Sequence, residues 1–246
     1  MFLQGLIPPQ PTQPWRLPPQ GLAVFHGECD APRLSHYFLP RLALEGERIL
    51  FLDGANCANP RLMARLAERR GLPFAQISRQ IKIARAFTCF QLTELIRRVP
   101  QFLADFPAQV LMVTAFPELY FDEDVRDADA QAAFRQALGH LRRFSLPIAD
   151  CRLPIDPIKN RQSKIGNRQQ LPVTSPPAVT VALFSSASRF QPPACRKYFF
   201  TQTCAAAAEL WKFQLDGQGR LGLLKTGAGD WGLGAGERTK LEIRNL

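Results

Sequence analysis

The chain has 246 residues and a mass of 27.6 kDa, a length that suits one large domain or one domain with appended segments. An apolar content of 46% with 10% aromatics can build a sizeable core, which excludes disorder throughout, and no apolar run approaches the roughly 20 residues of a membrane span. The formal charge of +10 is uneven: residues 1–150 carry 17 basic against 15 acidic side chains, whereas residues 151–246 carry 14 against 6, an asymmetry that favours a polyanionic partner, nucleic acid first.

Between Pro8 and Gln20 six prolines stand among Gln residues. Proline rings fix φ and remove donors, so residues 1–20 are expected as an extended arm or linker, able to dock on a neighbouring subunit through Trp15. From Gly21 short apolar runs alternate with helical patterns. Leu22 to Phe25 reads as a buried strand ending at Gly27, Leu34 to Leu44 has helical spacing, and Arg48 to Asp53 is a second strand closed by Gly54. Pro60 to Arg70 is an amphipathic helix with proline at its start and Gly71 after its end. Ile81 to Phe87 is a third strand, Phe90 to Phe106 a helix, Gln109 to Thr114 a fourth strand and Ala128 to Phe144 another helix.

Such alternation, with strands apolar throughout, predicts an α/β fold whose mainly parallel sheet is covered on both faces, with ligands at the carboxyl ends of the strands. Beyond Phe144 the alternation lapses. Residues 151–178 hold five prolines together with Arg152, Lys159, Arg161, Lys164 and Arg168, and are expected as a mobile basic loop. Val179 to Phe184 is a fifth strand, Pro192 to Ala208 a helix, and Leu210 to Leu215 a strand that turns at Asp216-Gly217 into Arg220 to Leu224, a C-terminal antiparallel hairpin. Residues 227–246 are expected as a Gly-rich tail. Met1-Phe2-Leu3-Gln4-Gly5 carries no basic n-region or long apolar stretch, so a cytoplasmic chain is expected. Six scattered cysteines without a C-x-x-C pair, and only His26, His36 and His140, give no support to a zinc site and read as reduced, mostly buried thiols.

The run Ile83-Ala84-Arg85-Ala86-Phe87-Thr88-Cys89-Phe90-Gln91-Leu92 is similar to the third core strand and the helix start after it, ending in Gln, in RadA-like proteins. Phe51-Leu52-Asp53-Gly54-Ala55-Asn56, followed by Asn59-Pro60-Arg61-Leu62, resembles the second-strand region. Val110 to Thr114, with Tyr120 to Asp124 after it, occupies the place of the Walker B strand. In order and spacing, residues from about Gly21 to Val125, and more weakly through Trp211, resemble the ATPase core of RecA/RadA-type recombinases, within the P-loop NTPase superfamily. The resemblance implies a RecA-like three-layer sandwich over residues 21–226, with a strand order like that of the family.

The family's chemistry is absent where the resemblance would place it. Cradling a triphosphate needs G-x-x-x-x-G-K-[ST], with glycines for close backbone approach, Lys for the phosphates and a hydroxyl for Mg²⁺. The matching turn, Gly27-Glu28-Cys29-Asp30-Ala31-Pro32-Arg33-Leu34-Ser35, lacks the second glycine and the Lys, and adds two acids. Gly27, Arg33, Ser35, Asp53 and Thr114 are therefore expected as remnants of a nucleotide site: Thr114 stands at the Walker B aspartate, and Ala55 at the catalytic glutamate. Neither ATP nor a metal is expected as a cofactor.

Other constellations carry less. Asp122, Glu123 and Asp124 could hold a cation but read as a solvated loop, and Ser35, His36 and Asp53 form a triad only on paper, lacking nucleophile-elbow glycines. His26, Trp211, Phe213, Phe87 and Phe90 read as core residues, and Cys89 lacks a basic partner. The expected function is that of a non-hydrolysing RecA-like paralogue, a DNA-binding or regulatory module of recombination or repair. Arg152, Lys159, Arg161, Lys164 and Arg168 are its phosphate contacts. The alternatives are a diverged ATP-binding NTPase, or a scaffold or cap that associates with a RecA-like ATPase or with itself.

Overall fold

Seven extended runs join in one sheet in the computed structural model, which describes residues 17–18, 21–27, 30–145, 179–189, 192, 194–215 and 221–226. They are β1 (Leu22–Gly27), β2 (Ile49–Asp53), β3 (Ile81–Arg85), β4 (Val110–Thr114), β5 (Thr180–Ser185), β6 (Glu209–Leu215) and β7 (Leu221–Thr226). Their order is β3-β2-β4-β5-β1-β6-β7. Every neighbouring pair from β3 to β6 is parallel, and β7 closes the sheet antiparallel to β6, as the alternating pattern predicts.

Side chains on a strand alternate between faces, so a strand buried on both sides must be apolar throughout. On β1, Leu22 and Val24 join one core while Ala23 and Phe25 join the other. The first core is covered by α5 (Cys89–Arg97), α7 (Asp127–Ser145) and α8 (Tyr198–Ala205). Opposite lie α1 (Ala31–Leu34), α2 (Leu39–Leu44) and α3 (Pro60–Glu68), with α4 (Phe74–Arg79) sealing a small cluster of Ala43, Ala67 and Ile77. Phe25 packs against the rings of Phe38, Phe184, Trp211 and Phe213. Aromatic pairs of this kind contribute about 0.5–1.5 kcal/mol beyond their area. No helix among the described residues is long and apolar enough to cross a membrane.

Three predicted helices are interrupted, each near a proline. Leu34 to Leu44 divides into α1, a 3₁₀ turn over Ser35–Tyr37, and α2, because Pro40 has no N–H to continue the ladder. The helix expected over Phe90 to Phe106 breaks at Arg98 into α5 and α6 (Val99–Asp105), with Pro100 in the first turn of the second piece. Pro192 to Ala208 shortens to a 3₁₀ turn at Ala194–Arg196 and α8. The helix α4 has no counterpart in the predicted elements. Outside the described residues lie the Pro-rich arm before Leu17, the basic loop 151–178 with Arg152, Lys159, Arg161, Lys164 and Arg168, the turn at Asp216-Gly217, and the tail 227–246.

Candidate functional site

Parallel strands bring their carboxyl ends to one rim, and pairing β2 with both β3 and β4 sets Asp53 beside Arg85 and Thr114. Two glycines shape this rim. A Cβ at Gly27 would stand 2.6 Å from the Phe213 carbonyl oxygen, and one at Gly54 would stand 2.6 Å from that of Thr114. Gly27 is thus needed for β1 to pack on β6, a role independent of any phosphate.

Asp53 is fully buried and both of its carboxylate oxygens are engaged. Oδ1 accepts from the Cys57 N–H at 3.0 Å and the Thr114 hydroxyl at 3.1 Å. Oδ2 accepts from the Ala58 N–H at 2.9 Å and faces Arg85 Nε at 3.6 Å. An ionised carboxylate offers about four acceptor positions; here three take hydrogen bonds from the chain itself, and the Arg85 ion pair balances the charge. Thr114 Oγ1 in turn accepts from the Ala55 N–H at 3.2 Å, and Arg85 Nη2 donates to the Ala58 carbonyl at 3.1 Å. Ala115, next along, has φ 57°, a left-handed conformation that costs an alanine about 1–2 kcal/mol, and its N–H bonds the Phe184 carbonyl at 3.1 Å. Asp53, Ala55 and Thr114 lie together, and their bonds tie the loops to one another.

The residues expected as phosphate-turn remnants are also engaged. Arg33 is 72% exposed and pairs with Asp30 at 3.1 Å. The Asp30 carboxylate caps α1, its Oδ1 accepting from the Arg33 N–H at 3.4 Å, so the chain's own acid occupies the turn where an anion would lie. Ser35 is buried, with its hydroxyl donating to the Pro32 carbonyl at 2.6 Å. His36 Nε2 accepts from the Asn59 N–H at 3.1 Å, which places the ring proton on Nδ1, 2.9 Å from the Arg33 carbonyl. Burial lowers the His36 pKa, against the opposing pull of that carbonyl and of Asp53 and Asp30. Ser35, His36 and Asp53 therefore make no triad: each is bound to backbone. Cys57 Sγ donates to the Pro32 carbonyl at 3.4 Å, joining the first loop to the second, and burial with the neighbouring Asp53 charge pushes its thiol well up.

Two residues that the sequence did not single out act beside this rim. Glu118 stands in a 3₁₀ turn after β4. Its Oε1 accepts from the Ser186 N–H at the end of β5, while Oε2 is buried without a hydrogen-bond partner among the described residues. Burial pushes the carboxyl up to about 7, against the Ser186 N–H and the Ser185 hydroxyl. A lone acid between Pro117 and Leu119, the only charged residue from Val110 to Phe121, was the available signal. Arg196 is only 2% exposed. It pairs with Asp127 at 2.7 Å and donates to the carbonyls of Tyr120, Asp122 and Val125, clamping the acidic loop. Asp122 Oδ1 accepts from the Asp124 N–H at 3.1 Å, and among the described residues no three His, Cys, Asp or Glu side chains converge as a metal site.

His26 is buried at the end of β1, level with Ser185 on β5 and Lys212 on β6, and burial with the Lys212 charge lowers its pKa to about 4. Cys89 is buried and its thiol is raised by burial, so it is not a thiolate. Phe213 is buried and Trp211 half-buried, as expected of core residues. Phe87 and Phe90 are not: they are 64% and 51% exposed, because β3 is the edge of the sheet and nothing flanks it among the described residues. No protein-family model matches the chain, and a search of curated proteins gives no match either.

Proposed function

We propose that this protein is a non-hydrolysing RecA-like paralogue that acts as a nucleic-acid-binding module in DNA recombination or repair. The observation that carries the reading is the buried Asp53 carboxylate, both of whose oxygens are already engaged by the chain. A centre that organises Mg²⁺ and an attacking water needs free acceptor positions, and here backbone N–H groups, Thr114 and Arg85 occupy them. The seven-stranded order with an antiparallel last strand is compatible with the RecA-like sandwich that the sequence resembles. The net charge of +10 supports a polyanionic partner.

The test is a titration with labelled single- and double-stranded DNA, with and without ATP, over a range of salt, beside an ATPase assay. Binding that weakens with salt and ignores ATP, without turnover, is the expected result. Turnover that Arg33→Ala abolishes, or no DNA binding at low salt, would overturn the reading.

A second reading, a scaffold or cap for a RecA-like ATPase, has its own observation: the open edge at β3 exposes Ile83 at 39%, beside Phe87 and Phe90. Unpaired strand edges are templates for another chain. Replacing Phe87 and Phe90 by Glu should abolish co-purification with such an ATPase while leaving the melting temperature nearly unchanged. Retained co-purification would sink this reading.

A further inference from the structure

We propose that the outer face of α3 is a phosphate-backbone contact surface for nucleic acid, carried by Arg61, Arg65 and Arg69 with Arg70 beside them; this rests on the nucleic-acid reading above. The three arginines are spaced i, i+4, i+8, and the Arg69 N–H still bonds the Arg65 carbonyl at 3.1 Å, so the helical ladder carries all three on one stripe. At 1.5 Å per residue the stripe is about 12 Å long. All four side chains are exposed, and none is ion-paired with an acid among the described residues. Arg33, Arg97 and Arg126, by contrast, each carry a compensating acid: Asp30, Glu94 and Asp129 respectively.

Like charges four residues apart repel, and Glu68 is the one acid within α3, so the stripe presents a concentrated positive charge to an external anion. Every cation on α3 and α4, Arg79 included, is Arg and none is Lys. The guanidinium's fixed fork of donors binds phosphate oxygens two at a time, whereas an ammonium acts as a point charge. Arg85 continues the basic track at the rim, where its guanidinium rests on the Ala58 carbonyl just before the helix begins.

The chemistry of the other helix face selects nucleic acid over a lipid surface. An interfacial helix must bury an apolar face among lipid headgroups. Here Met63, Leu66 and Ala67 are buried in the protein, leaving α3 only guanidiniums and stems to present. Contact would go to phosphates and carry no base sequence.

The experiment follows anisotropy of a fluorescein-labelled duplex of arbitrary sequence at a series of salt concentrations, on the full chain. The Arg61→Gln/Arg65→Gln/Arg69→Gln variant should bind more weakly and lower the slope of log K against log salt by about 2–3. A variant with Arg135, Arg142 and Arg143 of α7 changed to Gln alters net charge equally and should keep the wild-type slope. Melting temperatures confirm that both variants fold, and the matching triple Lys variant should restore most of the slope.

If the wild-type chain binds no DNA at low salt, the nucleic-acid reading falls, and this surface with it. If the wild-type chain binds but the α3 variant keeps its affinity and slope, or both triple variants lose slope equally, only the α3 assignment falls. Loss of binding to phosphatidylserine vesicles with DNA binding intact would likewise overturn it in favour of a membrane surface.

Discussion

Asp53 shows what the rim is built to do. Changing it to Ala strands the buried N–H groups of Cys57 and Ala58 and removes the acid from Arg85. That should cost about 2–4 kcal/mol in chemical denaturation, because a donor left buried without an acceptor loses its full solvation. Asp53→Asn keeps one accepting oxygen and should cost clearly less; equal losses in the two variants would contradict this account. Two buried titratable groups pull stability in opposite directions with pH. Glu118, raised from 4.5 to about 7 by burial, is neutral in the fold, so its contribution is present below about 4.5 and lost as pH rises through 7. Glu118→Gln should therefore stabilise the protein at pH 8 by about 3 kcal/mol and change little at pH 4. His26, lowered from 6.5 to about 4 by burial and Lys212, has the reverse sign: its contribution is present above 6.5 and lost as pH falls toward 4. Melting curves of the wild type, Glu118→Gln and His26→Phe at several pH values would separate the two limbs. An unchanged alkaline limb in Glu118→Gln would refute the assignment.

At the scale of elements, the loop between β4 and α7 depends on a side chain that arrives from the far end of the chain. Arg196 satisfies three of its carbonyls and pairs with Asp127 at the helix start. Arg196→Met keeps the apolar stem but leaves those carbonyls without donors, and should destabilise by about 3–5 kcal/mol, since breaking a buried charge network costs more than the network contributes. Hydrogen exchange localised to residues 120–127 would show the loop as the first part released. Protection there equal to wild type would contradict this role. The three interrupted helices belong to the same scale: prolines acceptable in a first turn force a new helix to begin.

For the whole molecule, net charge should dominate association. On the nucleic-acid reading, replacing Lys159, Arg161, Lys164 and Arg168 together by Ala should weaken DNA binding for all sequences and flatten the salt slope by up to roughly 3–4. Anisotropy at several salt concentrations measures this. Equal slopes in variant and wild type would remove the segment from the interface and leave the α3 face as the remaining contact.

What the sequence by itself determined is local. The spacing of apolar residues specified most strands and helices, Pro60 marked the start of α3, and the lack of a G-x-x-x-x-G-K-[ST] run was legible as an absence. Helical periods, capping bonds and turns act within a few residues, so a linear reading captures them. Only the tertiary structure decided that Thr114 donates to Asp53 across 61 residues, that Arg196 closes a loop some 70 residues away, and that Phe87 and Phe90 stand exposed at an edge. Burial and hydrogen-bond partnership are relations between segments distant in the chain. Which strand becomes the edge, and which carboxylate is filled, is settled when the sheet orders its strands.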